Sequence, residues 1–150
     1  MSAAALATAR ARLAALWPAA SDRSGDPHPV AEDDLPAFRV TLDLAAAEPV
    51  AMGAALHRSE GTLSAVLMVR TAPGLDLSDA LHRAADAGVA AILGGGDLLG
   101  GAVRALSPAA RSVDGAQGEG RLATLTLDFG VILDGPDPAA DGTPAGLGLA

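Results

Sequence analysis

The chain has 150 residues, a formal charge of −8 and a pI near 4.6; half of it is hydrophobic, and it contains no Lys, Cys or Tyr. Without lysine there is no Schiff base, lysine nucleophile or phosphate-loop lysine, and without cysteine there is no disulfide, thiolate or cysteine-held zinc. The acidic balance and the small aromatic set, Trp17, Phe38 and Phe129, also argue against sequence-specific nucleic-acid binding, which needs a basic groove and stacking faces.

A chain of this size suits one compact domain that buries roughly 70% of its unfolded surface. Its core must be built mainly from Leu, Val, Ile and Ala. No apolar run approaches the roughly 20 residues needed to span a membrane, and Arg10 and Arg12 break the apolar start that a signal peptide would need. The expectation is a soluble protein made inside the cell.

Ala3 to Trp17 places Leu6, Ala9, Leu13 and Leu16 at helical spacing behind Ser2 as a cap, which predicts an amphipathic helix. Pro18 to Pro36 is rich in Pro, Gly, Asp and Ser, includes the run Glu32, Asp33, Asp34, and reads as a long loop. Between Leu35 and Asp43, Phe38, Val40 and Leu42 alternate with Arg39, Thr41 and Asp43, the period of a strand with one buried face. Ala45 to Leu56 contains Pro49 and Gly53 without periodicity and reads as a connection with room for a short helical turn.

Thr62 to Thr71 is apolar on both faces, with Leu63, Leu67 and Val69 on one and Val66 and Met68 on the other, as in a central strand covered on both sides. Asp76 to Leu93 carries Leu77, Leu81, Ala84, Ala85, Val89 and Ile92 along one stripe, with acids early and Gly94 as a stop. That helix, roughly 27 Å long, would supply one cover. Ala102 to Ala105 suggests a short strand that Pro108 ends or bulges.

The last element is the clearest: Ala123, Leu125, Leu127, Phe129, Val131 and Leu133 alternate with Thr124, Thr126, Asp128 and Gly130, predicting a strand of roughly 35 Å. Beyond it the residues are too small to repay their ordering entropy. The organisation expected is one domain over residues 1–133 and a flexible Gly/Pro/Ala-rich tail over 134–150. The fold class is α+β: a mostly antiparallel four- to five-stranded sheet packed by two helices, in the order α-β-β-α-β-β.

Candidate chemistry is thin. Gly94 to Gly101 follows a helix instead of preceding one, so the dipole points the wrong way for a phosphate and a turn is expected; a small-ligand-binding module using this turn is the alternative from another class. His28, His57 and His82 have no metal-binding spacing. The Glu32, Asp33, Asp34 run and the pair Asp76, Asp79 are explained by an acidic loop and helix N-terminal capping. Ser59, Ser64, Ser78, Ser107 and Ser112 lack a nucleophile motif. No catalytic, cofactor or metal residue is assigned, and an enzyme is not expected. Arg104, Arg111, Glu119 and Arg121 flank the Gly-rich link between the last two strands, where mixed charge suits a polar protein contact or a solvated loop.

Taken together, the helix ATARARLAALW, the strand LPAFRVTLD after an acidic loop, the strand LSAVLMVR, the helix and stop LDLSDALHRAADAGVAAILGG, and the strand GEGRLATLTLDFGVIL resemble the tail terminator, or tail completion, proteins of long-tailed bacteriophages. The resemblance extends to about Leu133; Ala45 to Gly61 is longer than the family pattern, and the Gly/Pro tail has no counterpart in it. It implies a ring-forming protomer and a homo-hexamer, assembled in the host cytoplasm and located in the virion at the tail–neck junction. Such a ring caps the tail tube protein, stops its polymerisation and faces the head-completion or stopper protein of the neck. A head-completion or stopper protein is itself the nearest alternative. Genomic DNA would pass the lumen without specific binding, which an acidic lining would favour by repulsion, and a neighbouring subunit would be the second cover for the two-faced strand.

Overall fold

A computed structural model describes residues 2–45, 47–50, 56–118 and 120–136. Helix α1 (Ser2–Leu16) leads into β1 (Ser21–Asp22), a 3₁₀ turn (Glu32–Asp34), β2 (Ala37–Leu44), β3 (Glu48–Pro49) and β4 (Leu56–Arg70). Then come α2 (Ser78–Leu93), the short α3 (Leu98–Gly101), β5 (Ala105–Asp114) and β6 (Leu122–Pro136). The sheet order is β1-β2-β4-β6-β5 with β3 also on β4, and every pairing is antiparallel except β1 with β2. The expected α+β class with a mostly antiparallel sheet is therefore present. Among the described residues six strands and three helices replace the four to five and two expected, because β1, β3 and α3 are too short to carry a hydrophobic period.

The core lies on one face of the sheet. Phe38 and Val40 of β2, Leu63, Ala65 and Leu67 of β4, and alternate residues from Ala123 to Leu133 of β6 meet Ala5, Ala9 and Leu13 of α1 and Leu81, Ala85 and Ile92 of α2. Trp17 adds an edge-on contact to Phe38, with ring centroids 6.2 Å apart. A glycine in the middle of α2 is costly for a helix, yet a Cβ at Gly88 would come within 2.8 Å of Leu127 Cδ1 and 3.3 Å of the Trp17 ring. Gly88 is what lets α2 sit close on the sheet.

Several expectations need correction. The strand expected from Thr62 begins at Leu56, since its first six residues pair with β6 and β3 although their side chains show no apolar alternation. A backbone ladder holds them, with Leu56 opposite Pro136. For the same reason β6 runs past Leu133: Asp134 to Pro136 are strand, and residues 137–150 of the expected tail lie outside the described residues. Ala45 to Leu56 is no plain connection, because Glu48 and Pro49 pair with Arg58 and His57; residues 51–55 lie outside the described residues. The short strand expected at Ala102 to Ala105 is instead β5, ten residues long, and Pro108 bulges it without ending it, the register slipping between Pro108 and Ala110. As an edge strand it is mostly exposed, so no alternation marked it.

The second face of β4 is covered in part by the chain itself. Arg39, opposite Val66 in register, donates to the His28 carbonyl, and Arg70, two residues beyond Met68 on the same face, donates to the Glu32 carbonyl at 2.8 Å. The Pro18 to Pro36 segment, expected as a loop, thus folds over this corner and contributes β1 through Ser21 N–H to Pro36 O. Along the middle of that face Thr62, Ser64, Thr126 and Asp128 are polar, and Ser64 donates to Asp128 Oδ1 at 2.6 Å, while Ile132 and the charged Arg58 and Glu60 lie further along it. An antiparallel sheet tolerates such a solvated face.

Candidate protein-interaction surfaces

The β4–β6 ladder outruns the rest of the sheet. Fifteen residues of β4 span roughly 46 Å, and the two ends of this ladder carry different chemistry. At one end β3, the start of β4 and the end of β6 form a three-stranded arm. Here Asp134 accepts from Arg58 Nε at 2.9 Å, from an Arg58 amino group at 3.4 Å and from an Arg104 amino group at 3.3 Å, so β4 and the residue just before β5 converge on one carboxylate. Hydrogen bonding from Arg58 is the main reason the Asp134 carboxyl lies below its ordinary range, and the same bond raises the Arg58 guanidinium. A groove of about 290 Å³ opens beside them, lined by Ala45, Glu48, Pro49, Val50, Arg58 and Glu60. Among the described residues neither Glu48 nor Glu60 forms an ion pair, although Glu60 lies close enough to Arg58 to favour its charge.

The sign of the Asp134 shift gives a testable pH dependence. A carboxyl whose folded pKa is depressed stabilises the fold above its unfolded value, near 3.9 for Asp, and loses that contribution as pH falls through the lowered folded value. Asp134→Asn should therefore be less stable than the natural chain at pH 7, with the gap closing below about pH 4. Urea unfolding at both pH values measures this; a gap independent of pH contradicts it.

At the opposite end the acidic run is a clamp. Asp34 pairs with Arg23 at 3.4 Å, Asp33 with Arg70 at 3.6 Å, and Glu32 with Arg121 at 3.6 Å, tying β1, β4 and the start of β6 to one 3₁₀ turn. Desolvation costs are small at such exposed sites, and so are the net gains. The N-cap of α2 is Leu77 and no side chain caps it, so the capping expected of Asp76 and Asp79 is not seen; Asp76, one residue earlier, instead accepts from the Ser78 N–H at 2.9 Å in a turn that leads into the helix, and hydrogen bonding from Ser78 lowers its carboxyl.

The sequence-selected residues do not converge. Arg104 lies on the arm, Arg121 at the far end with its side chain 84% exposed, and Arg111 reaches across to Asp86 of α2 at 2.8 Å. Glu119 lies outside the described residues. Sequence reasoning missed Glu48, Arg58, Glu60 and Asp134, which only strand register brings together. Among the described residues, the exposed large hydrophobics also sit at the two ends: Leu44, Val50 and Leu56 toward the arm, Leu75 and Leu122 opposite.

Where a turn was expected, the glycine-rich segment makes a 3₁₀ turn (Gly94–Gly96) followed by the short α3, with positive φ at Gly94, Gly95, Gly96, Gly100 and Gly101. Its inner side is filled. Arg12 donates to Ile92 O at 3.1 Å and pairs with Asp97, and a Cβ at Gly94 would collide with the Arg12 guanidinium. Hydrogen bonding from Arg12 is the main cause that lowers the Asp97 carboxyl. Leu98 and Leu99 are left-handed at φ 57° and 53°, a strain offset at Leu99 by its full burial. Among the described residues no three His, Asp or Glu side chains group as metal ligands. No known family model matches the chain, and neither does any curated protein.

Proposed function

We propose that this protein is a structural ring protomer of the phage tail-terminator kind, capping the tail tube and joining it to the neck. The observation that carries the reading is the architecture: the expected order of long elements, α-β-β-α-β-β, builds an antiparallel sheet with helices on one face and an elongated central ladder whose two ends differ. An elongated protomer with unlike ends suits head-to-tail association, which closes into a ring when the rotation allows. The tail tube protein and the neck stopper are the partners on the two sides of that ring. The acidic chain would let DNA slide through the lumen by repelling it.

Mixing the protein with purified tail-tube protein and imaging the products tests this. Capped tubes of limited length are expected. Tubes that grow unaltered contradict the terminator role and favour a head-completion or stopper protein. The small-ligand alternative draws no support from the Gly94 to Gly101 turn, whose inner side Arg12 and Asp97 occupy.

A further inference from the structure

We propose that Asp114–Gly115 is a modification site, where the folded chain converts aspartate to isoaspartate while the same dipeptide at Asp134–Gly135 is protected. The inference is independent of the ring reading. The chain contains no Asn, so isoaspartate can arise only from aspartate, and Asp–Gly is its most reactive context because glycine puts no side chain in the way of the attacking amide. The Gly115 nitrogen attacks Cγ of Asp114; the N–Cγ bond forms, the bond from Cγ to its hydroxyl oxygen breaks, and water leaves with the amide proton, closing a succinimide. Water then adds to the main-chain carbonyl carbon of Asp114, the bond from that carbon to the nitrogen breaks, and the chain runs on through Cγ. One water is lost and one regained, and nothing is oxidised or reduced.

The rate depends on whether carboxyl and amide nitrogen can meet, and intramolecular reactions are steeply sensitive to such positioning. Asp114 is the last residue of β5 and is exposed; among the described residues its carboxylate has no hydrogen-bond or ion-pair partner. Gly115 lies past the ladder at φ 72°, in a turn closed by a long bond from Gly118 N–H to Gly115 O at 3.3 Å. A hollow of about 320 Å³ beside the pair, lined also by Ser78, His82, Val113 and Gln117, admits the water that opens the ring. Asp134 has the opposite surroundings. Arg58 and Arg104 hold its carboxylate, and Gly135 pairs with His57 inside the β4–β6 ladder, so closing a ring there means breaking both sets of bonds. The carbon that isoaspartate adds to the main chain at 114 falls just before Ala116, whose carbonyl accepts from Leu77 N–H at 2.7 Å at the entry to α2.

Ageing the natural chain in neutral heavy-oxygen water and mapping its peptides tests this, with the same incubation in urea as the reference that removes the fold. An isoaspartyl peptide keeps its sequence, elutes apart and carries one heavy oxygen; fragmentation assigns the position, separating Asp134 from Asp141, which lies outside the described residues. Relative to urea, folding should slow Asp134 by about tenfold or more and Asp114 far less. Asp114→Glu, whose longer side chain would have to close a larger ring, should abolish the signal there and leave the melting curve unchanged. Arg58→Gln should raise the rate at Asp134 and leave that at Asp114 as it is. Folding that slows both sites alike overturns the proposal, as does an Asp114 that isomerises in urea but not in buffer, or an Asp134 indifferent to the loss of Arg58.

Discussion

Replacing Phe129 with alanine is expected to cost about 3–5 kcal/mol of stability. Phe129 is fully buried in the middle of β6, opposite Leu63 of β4 on one side and Pro108 of β5 on the other. With only Phe38 and Trp17 as other aromatic residues, the core has few large side chains able to move into the space. The loss therefore includes both the transfer term and most of the cavity term. A domain of this size shifts by about 2–4 °C per kcal/mol, so the melting temperature should fall by roughly 10 °C. Total stability of such domains is about 5–15 kcal/mol, so the variant would retain only part of it. Urea unfolding followed by Trp17 fluorescence reads this directly, since the indole packs against Phe38 inside the same core. A cost under about 1 kcal/mol would mean that β6 is not closed over the core as described.

Gly61→Ala is expected to cost about 1–3 kcal/mol or more through overpacking, and to do so locally. Gly61 pairs with Leu44 where β2 ends and the arm begins. A Cβ there would overlap the Asp43 carbonyl and crowd Leu44 at 2.8–2.9 Å, and a main-chain carbonyl in a ladder cannot step aside as a side-chain tip does. The strands must separate at that point. Hydrogen exchange should accelerate at Thr41 to Ala45, where Ala45 N–H is bonded to Glu60 O, while the central pairs of β4 and β6 change much less. Gly95→Ala is the control: nothing lies near its Cβ position, so its cost should be limited to the left-handed backbone, about 1–2 kcal/mol, with no change in the sheet. Equal exchange effects from both substitutions would contradict the account of Gly61.

The long, periodic elements were legible because burial imposes its period on side chains. Phe38, Val40 and Leu42, the α2 stripe and the alternation from Ala123 to Leu133 each announce an element with one face in the core. The first six residues of β4 and most of β5 were not legible: their hydrogen bonds go to a neighbouring strand while their side chains stay in water, so nothing selects an apolar pattern. The acidic run shows a further kind of silence. Glu32, Asp33 and Asp34 have the composition of a solvated loop, and only the arrival of Arg23 from just after β1, Arg70 from the end of β4 and Arg121 from just before β6 makes them a clamp.

By itself the amino-acid order determined the α+β class, the strand faces and the chemistry that a chain without Lys, Cys or Tyr cannot perform. It also set Gly94 as the stop of α2, since a left-handed cap is a local, backbone requirement. Tertiary structure alone decided which charges meet. Arg58 and Asp134 are 76 residues apart in sequence and become partners at 2.9 Å through the β4–β6 register, while Arg104 and Arg121, flanking one link, are carried to opposite ends of the same ladder. Side-chain periodicity encodes burial, which is local, but a surface is assembled by register, and register depends on strands that are distant in the chain.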